Sequence, residues 1–290
     1  MTPIAQFIQY VISGLTSGSI YAIVGVCWSL VFLVTGILNF TTGEFVMLGS
    51  MITWVLLEAG LGLASALVFA IAATVVIGII VERVSIRPVK YPSEMTYMVI
   101  TIAAASIIKG ITLLTCDSEP HGIPSLVANK QISILGATVT TDSILVIGVL
   151  AIIAVGLSLF LNRTLFGKAL RATAINPSGA SLVGIRVGKL TVFCFGLAGG
   201  LGAIAGIVIA PITFTGYNIG LMTGLKGLVA AIVGGWNMTG TVFAGLALGL
   251  LEGLFGGFIS PGWKDAIAML IMILFLIYRT ISFSREVKKV

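Results

Sequence analysis

A polytopic bundle of membrane-spanning helices, all-α, is the fold class this sequence predicts, and three observations predict it. Of the 290 residues, 58% are hydrophobic and 9% charged, against about 25% charged in a soluble domain. Long stretches carry no charge, and most supply roughly the 20 apolar residues that cross a hydrocarbon core. Glycine is abundant, at 36 residues, as is usual where membrane helices pack closely. A mean hydropathy of +1.17 leaves too little polar surface for a wetted exterior. An ordinary cytosolic enzyme, a disordered regulator and a nucleic-acid binder are thereby excluded. The whole chain, 1–290, reads as one transmembrane domain.

The spans follow in order from where charge is missing. The first, 7–34, is uncharged and carries Gly14 and Gly18. The second, 44–58, opens on Glu44 and is short for a full crossing. Next come 61–81, ended by Glu82 and Arg83, then 95–114 with Lys109, and 143–162 between Asp142 and Arg163. After a polar loop follow 190–211, closed by Pro211, and 221–235, which contains Lys226. The span 239–258 contains Glu252, and 265–279 is the last. Strands are not expected, because no serial polar–apolar alternation of the outer-membrane-barrel kind occurs. Pro88, Pro92, Pro120, Pro124, Pro177 and Pro261 fall between spans, where a missing N–H costs nothing.

Basic residues orient the bundle. The 162–189 loop holds Arg163, Lys168, Arg171, Arg186 and Lys189, the 82–94 loop Arg83, Arg87 and Lys90, and the tail Arg279, Arg285, Lys288 and Lys289. The 115–142 loop instead holds Asp117, Glu119 and Asp142 against Lys130. The positive-inside rule puts the first three in the cytoplasm and the last outside. The net charge of +6 thus reports orientation. Before residue 82 the count stays open: the N-terminus is outside if 44–58 crosses, inside if it re-enters.

Two stretches, 35–44 and 234–240, put Asn, Thr and Gly between apolar helices. Discontinuous helices in corresponding positions point to a transport pathway, and Asn39, Phe40, Thr41, Thr42, Gly43, Glu44, Trp236 and Asn237 are its candidates. Two ordinary interfacial turns are the plainer reading. Gly245, Gly249, Gly253 and Gly257 repeat every four residues and form one helix face, fit for packing inside the bundle or against another subunit. Glu44, Lys109, Lys226 and Glu252 are charges at membrane depth, where such groups pair or line a cavity; the lysines could also snorkel.

The 163–189 loop reads as a short helix to about Ala174 and a second from Ser178 through Gly184, parted by Pro177. Leu170, Ala174 and Ile175 can share a face. Such a pair binds headgroups or couples the bundle to a cytoplasmic motor. No phosphate loop, HExxH or nucleophile–base set is present, so this chain is not expected to be an enzyme. Cys27, Cys116 and Cys194 suggest no disulfide framework, and His121 alone suggests no metal site.

Four motifs in order resemble the LivH-type permease subunits of branched-chain amino acid ABC importers. They are Gly18-Ser19-Ile20-Tyr21-Ala22 with Leu38-Asn39-Phe40-Thr41-Thr42-Gly43-Glu44-Phe45; Phe166-Gly167-Lys168-Ala169-Leu170-Arg171-Ala172 with Asn176-Pro177 and Gly184; Gly224-Leu225-Lys226 through Gly234-Gly235; and Gly249 to Glu252. The resemblance implies a multi-pass permease of the bacterial inner membrane that translocates amino acids or related small polar solutes. It implies no cofactor on this chain, with ATP and Mg on two cytoplasmic ATPase partners. It further implies a second permease subunit, as a heterodimer, and a periplasmic solute-binding protein. Phe166, Gly167, Lys168, Arg171, Ala172, Asn176, Pro177 and Gly184 would couple to the ATPases. The family's Ala-His pair is Thr41-Thr42 here, which bears on the solute. A passive channel or secondary carrier, an intramembrane enzyme and a membrane scaffold are the alternative readings.

Overall fold

The computed structural model describes residues 3–90, 93–116, 118–127, 131–134, 137–258, 262, 265–266, 269–271, 273–275 and 277. Pro92, Asp117, Lys130, Pro261 and the basic tail from Arg279 lie outside the described residues, as does part of the span expected at 265–279.

Ten helices carry the described chain: α1 Pro3–Thr35, α2 Thr41–Glu58, α3 Leu63–Val81, α4 Glu94–Cys116, α5 Thr141–Arg163, α6 Leu165–Ile175, α7 Pro177–Leu182, α8 Val187–Thr213, α9 Ile219–Val233 and α10 Met238–Phe258. Six of these helices, α3 together with its π-helical extension, are long and apolar enough to cross a membrane, and α9 is a shorter apolar helix. A five-residue π turn, Glu82–Ile86, extends α3. Pro211 sits in the last turn of α8, two residues before its end. The expectation of no strands is corrected at one place. Gln131–Ile134 (β1) and Ala137–Thr140 (β2) form an antiparallel hairpin, with Gln131 opposite Thr140. It lies in the 115–142 loop, outside the bundle, where backbone groups can pair with each other without spanning lipid.

Helix α1 is the axis. It is apolar all round and mostly buried from Gly14 onward, and α10, α9, α8 and α5 pack against it. The contact with α10 brings backbone against backbone along the glycine row: a Cβ on Gly249 would overlap Gly18, and one on Gly253 would meet Gly14 and Tyr10. Gly245 meets Ala22 and Gly257 meets the Tyr10 ring in the same way. The glycine face is therefore packed within the chain. Close backbone approach gives dispersion contact that lipid cannot outcompete.

The N-terminal topology is now fixed. Gln9 of α1 accepts a hydrogen bond from the Thr138 backbone of β2 at 2.9 Å, on the side of the acidic loop. The basic-loop helix α6 also packs against α1. Thus α1 runs from the outer to the cytoplasmic side, α2 returns outward, and α3 comes back in. The outer end of α2 meets the outer loop: Trp54 stacks on His121 with centroids 3.5 Å apart, and Thr215 Oγ1 donates to Ser50 Oγ at 2.6 Å. The 18 residues of α2 suffice because the helix starts at membrane depth, after the break.

Candidate functional site: two helix breaks and a buried ion pair

The first break is shorter than the sequence suggested. Gly36 to Phe40 are non-helical, while Thr41, Thr42, Gly43 and Glu44 form the first turn of α2. Gly36 adopts φ +68°, which lets α1 stop. Backbone groups there are satisfied internally, as membrane depth requires. Gly36 N–H donates to Phe32 O, Ile37 N–H to Thr35 Oγ1, and Thr101 Oγ1 of α4 donates to Leu38 O. Asn39 is fully buried, and its Oδ1 accepts from Thr41 N–H at 3.2 Å and Thr41 Oγ1 at 2.6 Å. Thr42 Oγ1 donates to Asn39 O at 2.8 Å. Asn39 therefore ties the break to the first residue of α2, whose N-cap position, Phe40, carries no side-chain cap bond.

The first turn of α2 lies against the first turn of α9. A Cβ on Gly43 would overlap the Gly220 carbonyl, and Glu44 Oε2 sits 2.8 Å from where a Gly220 Cβ would be. Glu44 is 3% exposed. Its Oε2 and the Asn39 Nδ2 have no hydrogen-bond partner among the described residues. The opposite charge acting on Glu44 is Lys109, whose Nζ stands 5.4 Å from the Tyr217 ring centroid. A carboxylate beside two helix N-termini is favourably placed, since each end carries partial positive charge. The site thus gathers charge, an amide and two helix N-termini in the bundle interior.

The second break is Gly234 to Asn237, with α10 resuming at Met238. Gly235 (φ +68°) and Trp236 (φ +59°) are both left-handed, and Trp236 N–H returns to Ala231 O at 2.9 Å. Trp236 is half-buried and stacks on Phe32 at 4.0 Å; Asn237 is exposed and its carbonyl accepts from Thr241 N–H. Helix α1 joins the two breaks. Trp28 meets Phe40 edge-on at 5.3 Å and donates from Nε1 to Gly224 O at 3.0 Å, one turn above Phe32. Both breaks follow an inward helix and begin an outward one.

The membrane-depth charges sort differently from one another. Lys226 does not snorkel. It is buried, and its Nζ donates to Glu252 Oε1 at 3.0 Å, to Tyr21 Oη at 3.2 Å and to Asp265 Oδ1 at 2.7 Å. Tyr21 Oη in turn donates to Glu252 Oε1 at 3.2 Å. This ties α1, α9 and α10 together. Sequence reasoning missed Tyr21, Trp28 and Asp265; a polar ring halfway along an apolar helix was the available signal for the first.

The basic loop forms α6 and α7, kinked at Pro177. Thr164 caps α6 and Asn176 caps α7 by accepting from Gly179 N–H at 2.9 Å. Gly167 is buried, and a Cβ there would overlap the backbone of Phe160 and Leu161. Phe166 packs edge-on against Phe193 at 4.7 Å. Lys168 and Arg171 are exposed, Arg171 donating to Asn162 Oδ1 at 2.8 Å; Ala172 is half-buried. Gly184 (φ +87°) turns the chain toward α8. The buried face is Gly167, Leu170 and Thr173, not Leu170, Ala174 and Ile175. Ile175 is 86% and Leu182 88% exposed, because the Pro177 kink turns them away from the bundle. Apolar side chains thus project on the cytoplasmic side. The described residues hold no cluster of metal-ligating side chains, and all three cysteines are free thiols.

A family model described as branched-chain amino acid transport system / permease component matches residues 10–276. The chain is 28% identical to the high-affinity branched-chain amino acid transport system permease protein BraD of Pseudomonas aeruginosa, over 96% of each. It is 29% identical to the permease protein LivH of that type of system in Escherichia coli, over 98% of each. Among solved structures, PsaBC from Streptococcus pneumoniae in complex with Fab superposes with TM-score 0.53 at 16% identity, covering 95% of this chain and 94% of that one. That likeness is one of fold.

Proposed function

The chain belongs to the branched-chain amino acid transport system permease component family, and from that premise we propose that it forms part of the translocation pathway of an ATP-driven importer for amino acids. It is a transport subunit of the bacterial inner membrane. ATP and Mg bind to two partner ATPases, a second permease completes the pathway, and a periplasmic binding protein delivers the solute. The observation that carries the reading is the first break. A half-helix starting inside the bundle, with Glu44 and Asn39 each keeping an unpartnered polar atom among the described residues, suits a solute path better than a lipid-facing turn.

The Thr41-Thr42 pair does not argue against an amino-acid solute. Both hydroxyls are spent on Asn39 within the turn, so they shape the turn that starts α2. On the cytoplasmic side, the exposed Ile175, Leu182 and Val183 with Arg171 form the surface on which the ATPases dock. The test is leucine uptake into proteoliposomes holding the copurified complex. ATP-dependent uptake that needs the ATPases and the binding protein supports the proposal. Uptake by the purified chain alone would overturn it in favour of a passive channel or secondary carrier.

A further inference from the structure

Between α3 and α4 the described surface holds a cavity of about 330 Å³, open to the membrane and lined almost wholly by apolar atoms. Its walls include Ile77, Ile80 and Val84 of the α3 side and Ala104, Ile107 and Ile111 of α4. Val84 is 69% and Ile107 63% exposed, so no other described element covers the slot. Ile77 and Ile80 lie one α-helical turn apart, Val84 follows within the π turn, and Arg87 stands in the turn just after it. Arg83 precedes Val84, and Lys90 follows in the same loop; all three cations are exposed. Ser85 lines the slot between its apolar length and these cations. The π turn Glu82–Ile86 widens the helix at this level. Glu82 is buried, and one of its oxygens lies 3.8 Å from Arg83 Nε, which leaves the rest of that guanidinium for other anions.

We propose that this slot binds an anionic phospholipid of the cytoplasmic leaflet, with one acyl chain along α3 and α4 and the phosphate held by Arg83 and Arg87. The charge pattern selects this occupant. An apolar slot alone accepts any lipid chain, whereas cations confined to its cytoplasmic mouth favour an anionic headgroup. The carboxylates near the mouth are Glu82, which is buried and within electrostatic reach of both Arg83 and Arg87, and Glu94, which begins α4.

The test is binding of phosphatidylglycerol and phosphatidylcholine with matched chains to the purified protein in non-ionic detergent, read by native mass spectrometry and by thermal unfolding. Phosphatidylglycerol is expected to bind more tightly and to raise the unfolding midpoint more. Arg83→Gln with Arg87→Gln should weaken its binding by about 30-fold, roughly 1 kcal/mol for each arginine, without changing phosphatidylcholine binding. Arg87→Gln alone spares the Glu82 contact and should cost about 5-fold. Ala104→Trp, which fills the slot, should weaken both lipids. Equal binding of the two lipids by the wild type, or undiminished preference in both arginine variants, overturns the proposal. So does labelling of Val84→Cys that is blocked in the assembled complex and stays blocked after delipidation, since protein then covers the slot.

Discussion

Replacing Lys226 with Met is the sharpest test of how this bundle is held. The side chain fits the same space but loses its charge. Glu252 then keeps only the Tyr21 hydroxyl at 3.2 Å, and its Oε2 already has no partner among the described residues. An uncompensated carboxylate is left buried between α1 and α10, at a cost of about 3–5 kcal/mol. Glu252→Gln is milder. Lys226 retains Asp265 at 2.7 Å and Tyr21, and the amide oxygen can still accept, so about 1–3 kcal/mol is lost. Asp265 is 57% exposed at its side chain, so that pair alone contributes about 1 kcal/mol or less. The double variant Lys226→Met, Glu252→Leu removes the buried pair whole and should recover most of the loss. The assay is a double-mutant cycle on unfolding in detergent micelles. Lys226→Met within about 0.5 kcal/mol of wild type, or single losses that simply add, would refute this account of the pair.

The remaining predictions touch the other features. Gly249→Val drives methyls into the Gly18 backbone and should cost about 3 kcal/mol, the upper end of overpacking, seen as a lowered unfolding midpoint. Asn176→Ala removes the cap of α7 and should cost about 1 kcal/mol, with a further loss of solute-stimulated ATPase activity in the assembled importer. Leu182→Glu alters an exposed residue, so stability should stay within about 0.5 kcal/mol while copurification of the ATPases falls. Glu44→Gln should cut ATP-driven leucine uptake by about tenfold, equivalent to about 1.4 kcal/mol, with ATPase copurification unchanged; uptake at the wild-type level would remove Glu44 from the pathway.

Much of this was legible because membrane depth is unforgiving. Charge-free runs located the helices within a few residues, since any charge inside one must be accounted for. The Asn176-Pro177 kink and the glycine row could be read because each has one dominant physical cause, a missing N–H and a missing Cβ. Three things could not be read. The strands of the hairpin do alternate, Gln-Ile-Ser-Ile and Ala-Thr-Val-Thr, but four residues each are too few to stand out from the loop around them. The partners of Lys226 lie on three elements 205, 26 and 39 positions away (226 to 21, 252 and 265), and nothing local encodes which charges meet. The crossing of α2 depended on where α1 stops, which the left-handed Gly36 decides.

The fold also suggests how a push in the cytoplasm reaches the breaks. Helix α6 is capped, and Gly167 seats it directly on the end of α5, so it moves as a block. Its buried Leu170 belongs to the same apolar core as Trp28 and Val31 of α1. The cytoplasmic end of α1 then carries Trp28 against Phe40 and Phe32 against Trp236. One helix therefore contacts the docking surface's underside and both breaks. A tilt of α1 is poorly absorbed along its seam with α10, where Gly14 and Gly18 meet Gly245 and Gly249 backbone to backbone. It would be taken up at Gly36 and Gly235, the left-handed glycines of the two breaks, neither with anything packed against it. Gly36 stands five residues before α2 and Gly235 three residues before α10, so displacement of the basic loop would reorient the two half-helices that frame Glu44 and Trp236.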